Sequence, residues 1–317
     1  MALVNWLVLV GGVSALISGL HIMSSGLKLT AASKLKKYLK ILTNNPLLGA
    51  LTGTVVTMIL QSSSITTIMV VGLVNTGLIN FTQGISIIIG ANIGTTITAQ
   101  ILAFQLTDWA LPITAVGLVF LLLGRFRSPY LWGLGKSLLG AGLLFLGLYM
   151  MTTALKPLRE SPYILNLLLE AGEVPLQGVL IGALSTFLFQ SSGAVIGIIM
   201  AMAVQGMVSL PVSIAIILGA DMGTCITSMI ASIGTDIHAR RTAFAHLIFN
   251  IIGATCLLTI FNYFTSIVME TSPVITRQIA NAHTLYNIFN ALIILPFVNI
   301  FARFIEYIIP EKKSKAM

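Results

Sequence analysis

The chain has 317 residues, 56% of them hydrophobic and only 8% charged, with a mean hydropathy of +0.99. Soluble domains carry about 25% charged residues, so there is too little charge here to wet a globular surface, and an all-α, polytopic membrane protein is expected. A formal net charge of +8 does not point to nucleic acid, because the basic residues sit in the gaps between apolar runs instead of gathering with aromatics in one groove.

Residues 3–27 are long enough to cross a bilayer at ~1.5 Å per residue. They lack a basic n-region and a cleavage site, so they are expected to remain as a first helix. Gly11, Gly12, Gly19 and Gly26 along it favour close helix packing. Lys28, Lys34, Lys36, Lys37 and Lys40 follow, with leucines between them, the pattern of a basic amphipathic helix on the membrane surface. Pro46 to Leu60 is apolar but reaches only ~22 Å as a helix, against a hydrocarbon core of ~30 Å. Gln61-Ser62-Ser63-Ser64 interrupts it before an apolar run resumes as far as Asn75. Two half-length helices around a polar tip predict a re-entrant hairpin over 46–76, buried in protein or lining a cavity. Spans are expected at 82–104, broken near Gly90–Thr96, and at 108–124.

A second set follows. It has a span from about 131 and a loop with Glu160, Glu170 and Glu173. A hairpin over 175–206, tipped by Gln190-Ser191-Ser192, comes next, then a broken span at 211–234 and another span at 241–263. Residues 278–309 form one additional helix, kinked at Pro296. Cys225 and Cys256 lie inside apolar segments, which suggests neither a disulfide framework nor a metal site.

The two sets are copies. At an offset of 129, residues 49–98 and 178–227 match at 17 of 50 positions without a gap. Gly19 to Lys28 is echoed by Gly147 to Lys156 at an offset of 128. The repeats are therefore 3–124 and 131–263. Each holds three crossings plus a hairpin that returns to its own side, so the second copy is inverted. With Lys28–Lys40 inside, 13 of the 17 basic residues fall on the inner face, and only Lys156, Arg159 and Arg277 fall outside. This follows the positive-inside rule and places the N-terminus outside and the C-terminus inside.

The best-kept positions of the duplication are polar. Ser62–Ser64 and Ser191-Ser192 stand where the second arm of each hairpin begins, and a helix N-terminus offers unpaired N–H groups and about half a positive charge. Two such termini from opposite faces, with serine hydroxyls and the Gln61 and Gln190 amides, suit a small oxyanion. Neither hairpin holds Lys or Arg, so co-bound cations are expected to balance the charge. The second knots lie 31 residues after each Gln and carry Asn92, Thr95, Thr96 and Thr98, with Asp221, Thr224 and Thr227 opposite them. Their oxygens, with the free carbonyls of a broken helix, suit Na⁺. Asp221 replaces Asn92, and a carboxylate at membrane depth is functional by default, as a partner for Na⁺ or for a proton. Small polar residues in membrane helices are often packing devices, but four knots in two matched pairs favour function. Thr57 and Thr186, each four residues before its Gln, are candidates to line the site. His246 and Asn250, and His283 and Asn287, share the pattern A-H-x-x-[F/Y]-N and are expected to support a neighbouring broken helix.

Paired Q-S-S motifs, paired G-A-[N/D]-x-G-T motifs and the A-H-x-x-[F/Y]-N helices resemble the sodium–phosphate cotransporters, bacterial relatives of the type II family of animals. The resemblance covers about residues 3–305. It implies Na⁺-coupled transport of inorganic phosphate, with Gln61, Ser62, Ser63, Ser64, Gln190, Ser191 and Ser192 at the substrate site. Gly193 stands where the first copy has Ser64, which removes one hydroxyl. Some members of the family carry a PhoU-like helical domain after the transporter; this chain stops at Met317, so such regulation would need a separate protein. The reading is an inward sodium–phosphate symporter of the cytoplasmic membrane, with no cofactor beyond Na⁺ as the coupling ion. The alternatives are an exporter or a carrier of another oxyanion, and then an anion channel. An enzyme is not expected, because no nucleophile triad or paired carboxylates are in register. The glycine-rich helices allow contacts within a protomer or in a homo-oligomer.

Overall fold

The computed structural model describes residues 2–40, 45–157 and 174–311. The expected loop with Glu160, Glu170 and Glu173, and the terminal lysines, lie outside them. Among the described residues the structure is helical, without strands. The first copy is α1 (Ala2–Lys40), α2 (Pro46–Leu60), α3 (Ser63–Asn75), α4 (Phe81–Leu102) and α5 (Ala110–Arg127). The second is α6 (Pro129–Leu155), α7 (Pro175–Phe189), α8 (Ser192–Val204), α9 (Leu210–Ala231) and α10 (Ile237–Thr259). A short α11 (Phe261–Glu270) leads to α12 (Ile275–Ile294), a 3-10 turn (Leu295–Phe297) and α13 (Val298–Ile308). Six helical stretches among the described residues are long and apolar enough to cross a membrane. A shorter helix also turns an apolar face outward: Leu176, Leu180, Leu184 and Leu188, one turn apart on α7, are each more than half exposed.

The first helices of the two copies meet in a glycine seam between α1 and α6. A Cβ on Gly12 would collide with Gly147, one on Gly19 with Gly140, and one on Gly26 with Gly133. Rising numbers on α1 meet falling numbers on α6, so the pair is antiparallel. Gly12 and Gly19 correspond to Gly140 and Gly147 at the 128-residue offset, so each glycine faces the equivalent of the other. That is an isologous contact about a pseudo-two-fold axis, and it lies near Leu16 and its equivalent Leu144, both fully buried. Equivalent helices of the two copies thus run in opposite directions, as an inverted repeat requires.

Each hairpin leans on the long helix that follows it, through a second set of glycines. A Cβ on Gly53 or Gly90 would run into the backbone of Ile87 or Ala50, and the equivalents Gly182 and Gly219 meet Ile216 and Val179 in the same way. Gly94 and Gly223 complete the pattern against Thr54 and Ala183.

This corrects the expectation of breaks at Gly90–Thr96 and within 211–234: α4 and α9 run unbroken through both motifs. The glycines are there for close approach to α2 and α7, and a helix held on that side has no reason to open. Irregular backbone occurs instead at Ile260, between α10 and α11, and at the Pro296 turn, where the kink was expected. A second correction concerns the basic segment after residue 27. It does not form a separate surface helix, because α1 continues to Lys40 through residues of good helix propensity with no Gly or Pro to stop it.

Candidate functional site

Both hairpin tips are built by the same three residues. Gln61 and Gln190 close their arms in the left-handed region, at φ 52° and 54°, uncommon for a residue with a side chain. Each offsets this by donating its amide Nε2–H to a carbonyl three residues back, Gln61 to Met58 at 2.6 Å and Gln190 to Phe187 at 2.5 Å. Ser62 and Ser191 follow in extended backbone as the N-caps of α3 and α8, and their Oγ atoms accept from Ile65 N at 3.3 Å and Ala194 N at 3.2 Å. One N–H per terminus is thereby capped. The N–H groups of Ser63 and Ser64, and of Ser192 and Gly193, lie in the first turns of α3 and α8, where no intrahelical acceptor exists.

The two tips meet. Gln61, Ser62, Ser63, Ser64, Gln190, Ser191, Ser192 and Gly193 all line one cavity of about 440 Å³. Thr98 links them: its hydroxyl donates to Gln61 Oε1 at 3.0 Å, and its methyl lies where a Cβ on Gly193 would go. Gly193 is therefore small because α4 passes there, which is why the second copy lacks the hydroxyl of Ser64. Ser63 and Ser192, the first residues of α3 and α8, are 3% and 6% exposed.

Sequence reasoning missed the cavity's other wall. α1 contributes His21, Ser24, Ser25 and Lys28, and α6 contributes Lys136. Ser24 donates to the Leu60 carbonyl at 2.5 Å and holds the first hairpin's end against α1. Lys136 reaches Ser25 Oγ at 3.4 Å, with its ammonium 5.8 Å from the Trp132 ring. Charge to balance an anion was expected from outside the hairpins, with co-bound cations as the natural source, and two lysines outside the hairpins line the same cavity. A signal existed for Lys28, which closes the echoed stretch Gly19 to Lys28. None existed for Lys136, whose placement depends on the antiparallel register of α1 and α6.

The residues singled out for Na⁺ divide into two groups. Thr95, Thr98 and Thr224 line the cavity. Asn92, Thr96 and Asp221 are buried among α4, α9 and their neighbours. Asn92 and Thr96 bond carbonyls of their own helix, at Ile88 and Ile93. Thr224 donates to the Asp221 carbonyl at 2.7 Å, and Thr227 to that of Thr224 at 2.6 Å. The Asp221 carboxylate is held from α12, with His283 Nε2 3.1 Å from Oδ1 and Asn287 Nδ2 donating to Oδ2 at 2.8 Å. From α10, His246 Nδ1 lies 3.5 Å from Ser228 Oγ, and Asn250 donates to Cys225 Sγ at 3.2 Å. The two A-H-x-x-[F/Y]-N helices therefore grip α9, an intact helix, from two sides.

Thr57 and Thr186 do not line the cavity. Thr57 donates to Thr66 across the first hairpin at 2.9 Å. At the equivalent of Thr66 the second copy has Val195, and the buried Thr186 hydroxyl has no partner.

The sequence pattern described as Na⁺/Pi-cotransporter matches residues 15–153 and 159–282. The Bacillus subtilis protein YqeW, whose name assigns no function, is 34% identical over 259 residues, which is 81% of this chain and 83% of that protein. A Salmonella typhimurium protein provisionally named an inorganic phosphate export protein, YjbB, is 29% identical over 266 residues, 83% of this chain but 48% of its own length. The human sodium-dependent phosphate transport protein 2B is 37% identical over 101 residues, 31% of this chain and 15% of that protein. The chain thus spans about half the length of YjbB and much less of the human protein. No solved structure gives a significant match.

Proposed function

This chain belongs to the Na⁺/Pi-cotransporter family, and from that premise we propose that it is a secondary active carrier of inorganic phosphate, coupled to Na⁺, that works by alternating access across the cytoplasmic membrane. The observation that carries the reading is the meeting of both Gln–Ser–Ser tips in one cavity with Lys28 and Lys136 on its wall. Phosphate is assigned to the N–H and hydroxyl groups of Ser63, Ser64 and Ser192, with the Gly193 N–H beside them. A small tetrahedral oxyanion fits such donors, which exchange readily with water during release. Gln61 and Gln190 act mainly by shaping the tips, because one amide proton of each is committed to its own helix end. The hairpins are taken as re-entrant, since arms of 15 and 13 residues reach only about 20 Å.

Na⁺ is assigned to the hydroxyl oxygens of Thr95, Thr98 and Thr224, which line the cavity, because the carbonyls of the intact α4 and α9 are taken by their own helices. Asn92, Thr96 and Asp221 support them from behind, and Asp221 contributes negative potential. Two Na⁺ per HPO₄²⁻ move no net charge and leave accumulation to the Na⁺ concentration gradient, whereas a third adds ~2.3 kcal/mol at −100 mV. A specific observation favours a second direction of flux, namely the export named for YjbB at 29% identity. The positive-inside rule turns the lysine-lined cavity to the cytoplasm, and a reversible carrier open there loads or unloads phosphate according to the prevailing gradients.

The binding half of this reading is tested by equilibrium binding of radiolabelled phosphate to the purified protein in NaCl and in choline chloride. Tighter binding in NaCl is expected. Equal binding in the two salts removes the sodium assignment, and no binding in either removes the phosphate assignment.

A further inference from the structure

The cavity at the tips takes one wall from Leu20, His21, Ser24, Ser25 and Lys28 of α1. Their equivalents on α6, at the 128-residue offset, are Leu148, Tyr149, Thr152, Thr153 and Lys156, and every one of them lines a second cavity, of about 360 Å³, completed by Gln105, Thr107 and Gln205. Lys136 in the first cavity lies on α6 and Lys156 in the second caps its C-terminus, 20 residues and ~30 Å further along the axis, about one hydrocarbon thickness. The two cavities therefore lie towards opposite ends of the α1–α6 pair.

They differ in depth because the two hairpins are seated differently. Ser24 donates to the Leu60 carbonyl, and Leu60 is buried. At the equivalent positions Thr152 bonds back to Leu148 within α6, at 2.7 Å, and Phe189 is 40% exposed. On the second copy's side α8 lies against α1, with Gly197 making room for Leu16 and Gly193 beside Leu20. The equivalents of those glycines on α3 are Ser64 and Ile68. Ser64 faces the first cavity, Ile68 is 41% exposed, and α3 packs on α4, α9 and α10. One arm is docked on the seam while its counterpart stands off, so only the first cavity reaches the tips.

We propose that the second cavity is the opposite portal for the same oxyanion, with Lys156 as the cation that draws it in. It reaches the tips when the two copies exchange conformations, and Thr152 then donates to the Phe189 carbonyl as Ser24 now donates to Leu60. The proposal rests on the transport reading above. Its chemistry resembles that of the first cavity with one ammonium in place of two: Lys156, two neighbouring hydroxyls (Thr152 and Thr153) and side-chain amides (Gln105 and Gln205), a set suited to a small hydrated anion such as phosphate.

The test uses two cysteine pairs in the full chain with Cys256→Ser, Cys225 being buried. Ser24→Cys with Leu60→Cys bridges the conformation seen here, and Thr152→Cys with Phe189→Cys bridges the exchanged one. Both pairs are expected to cross-link under copper phenanthroline, seen as a gel shift, and each bridge is expected to abolish phosphate exchange until a reductant restores it. A Thr152–Phe189 pair that stays open while Ser24–Leu60 closes, or that closes without loss of exchange, overturns the proposal. As a milder probe, Lys156→Gln is expected to raise the half-saturating phosphate concentration only for phosphate added on the Lys156 face. Equal change on both faces, or none, overturns the role of Lys156. Absence of phosphate exchange in the unmodified chain is a separate result that sinks the transport reading itself, whereas the gel shift is read without any flux.

Discussion

His283 Nε2 lies 3.1 Å from Asp221 Oδ1 with both side chains almost wholly buried, and Asn287 donates to the other carboxylate oxygen. A buried acid held this way depends on its partners. Removing one member of a buried pair costs ~3–5 kcal/mol because the other is left without compensation. His283→Ala is therefore expected to lower the unfolding temperature in detergent substantially. Adding Asp221→Asn, which removes the stranded charge and copies Asn92 of the first repeat, is expected to recover much of that loss. A double variant no more stable than His283→Ala alone would show that the acid does not depend on the histidine.

The unpartnered Thr186 hydroxyl gives a prediction of opposite sign. Val195→Thr copies Thr66, which bonds Thr57 at 2.9 Å in the first hairpin. One buried hydrogen bond is worth about 1 kcal/mol net, so the variant should unfold at a higher temperature than the parent.

Glycine spacing should matter where helices touch and not elsewhere. A Cβ at Gly53 or Gly182 meets a backbone carbonyl that cannot move aside without shifting a helix, whereas nothing stands within 4 Å of one at Gly72. Gly53→Ala and Gly182→Ala are expected to destabilise by ~1–3 kcal/mol. Gly72→Ala, in an exposed helical position, should be neutral or stabilising by up to ~1 kcal/mol. Thermal unfolding of the three variants side by side checks this.

Much of this architecture is legible in the sequence because duplication doubles every signal. The half-length arms, the serine caps and the pairing of Gln61 with Gln190 all follow from local chemistry that repeats at one offset. Register between distant helices is a different matter. Lys136 joins Ser25 in the cavity only because glycines every seventh residue set α1 against α6, and that pairing is a long-range contact with no local mark. The G-A-[N/D]-x-G-T motif was legible as important but not as intact helix. A glycine that admits a neighbouring backbone and a glycine that breaks a helix look the same in one dimension.

Side-chain donors to phosphate make the next prediction. A hydrogen bond to a charged group is worth ~1.5–3 kcal/mol, roughly ten- to hundredfold in Kd. Ser63→Ala and Ser192→Ala should each weaken phosphate binding by about that factor, and Lys136→Gln should weaken it too. Lys36→Ala, remote from the tips in sequence, should leave it unchanged. Isothermal titration with inorganic phosphate separates these outcomes, and similar losses in all four variants would argue against the site.

The most direct measurement is the uptake of radiolabelled phosphate into proteoliposomes with an imposed Na⁺ gradient. Accumulation above the external concentration while the gradient lasts, collapsing when Na⁺ is equal on both sides, is the predicted result. Phosphate flux that is the same with and without the Na⁺ gradient would contradict sodium coupling, and flux no greater than in protein-free liposomes would contradict phosphate transport.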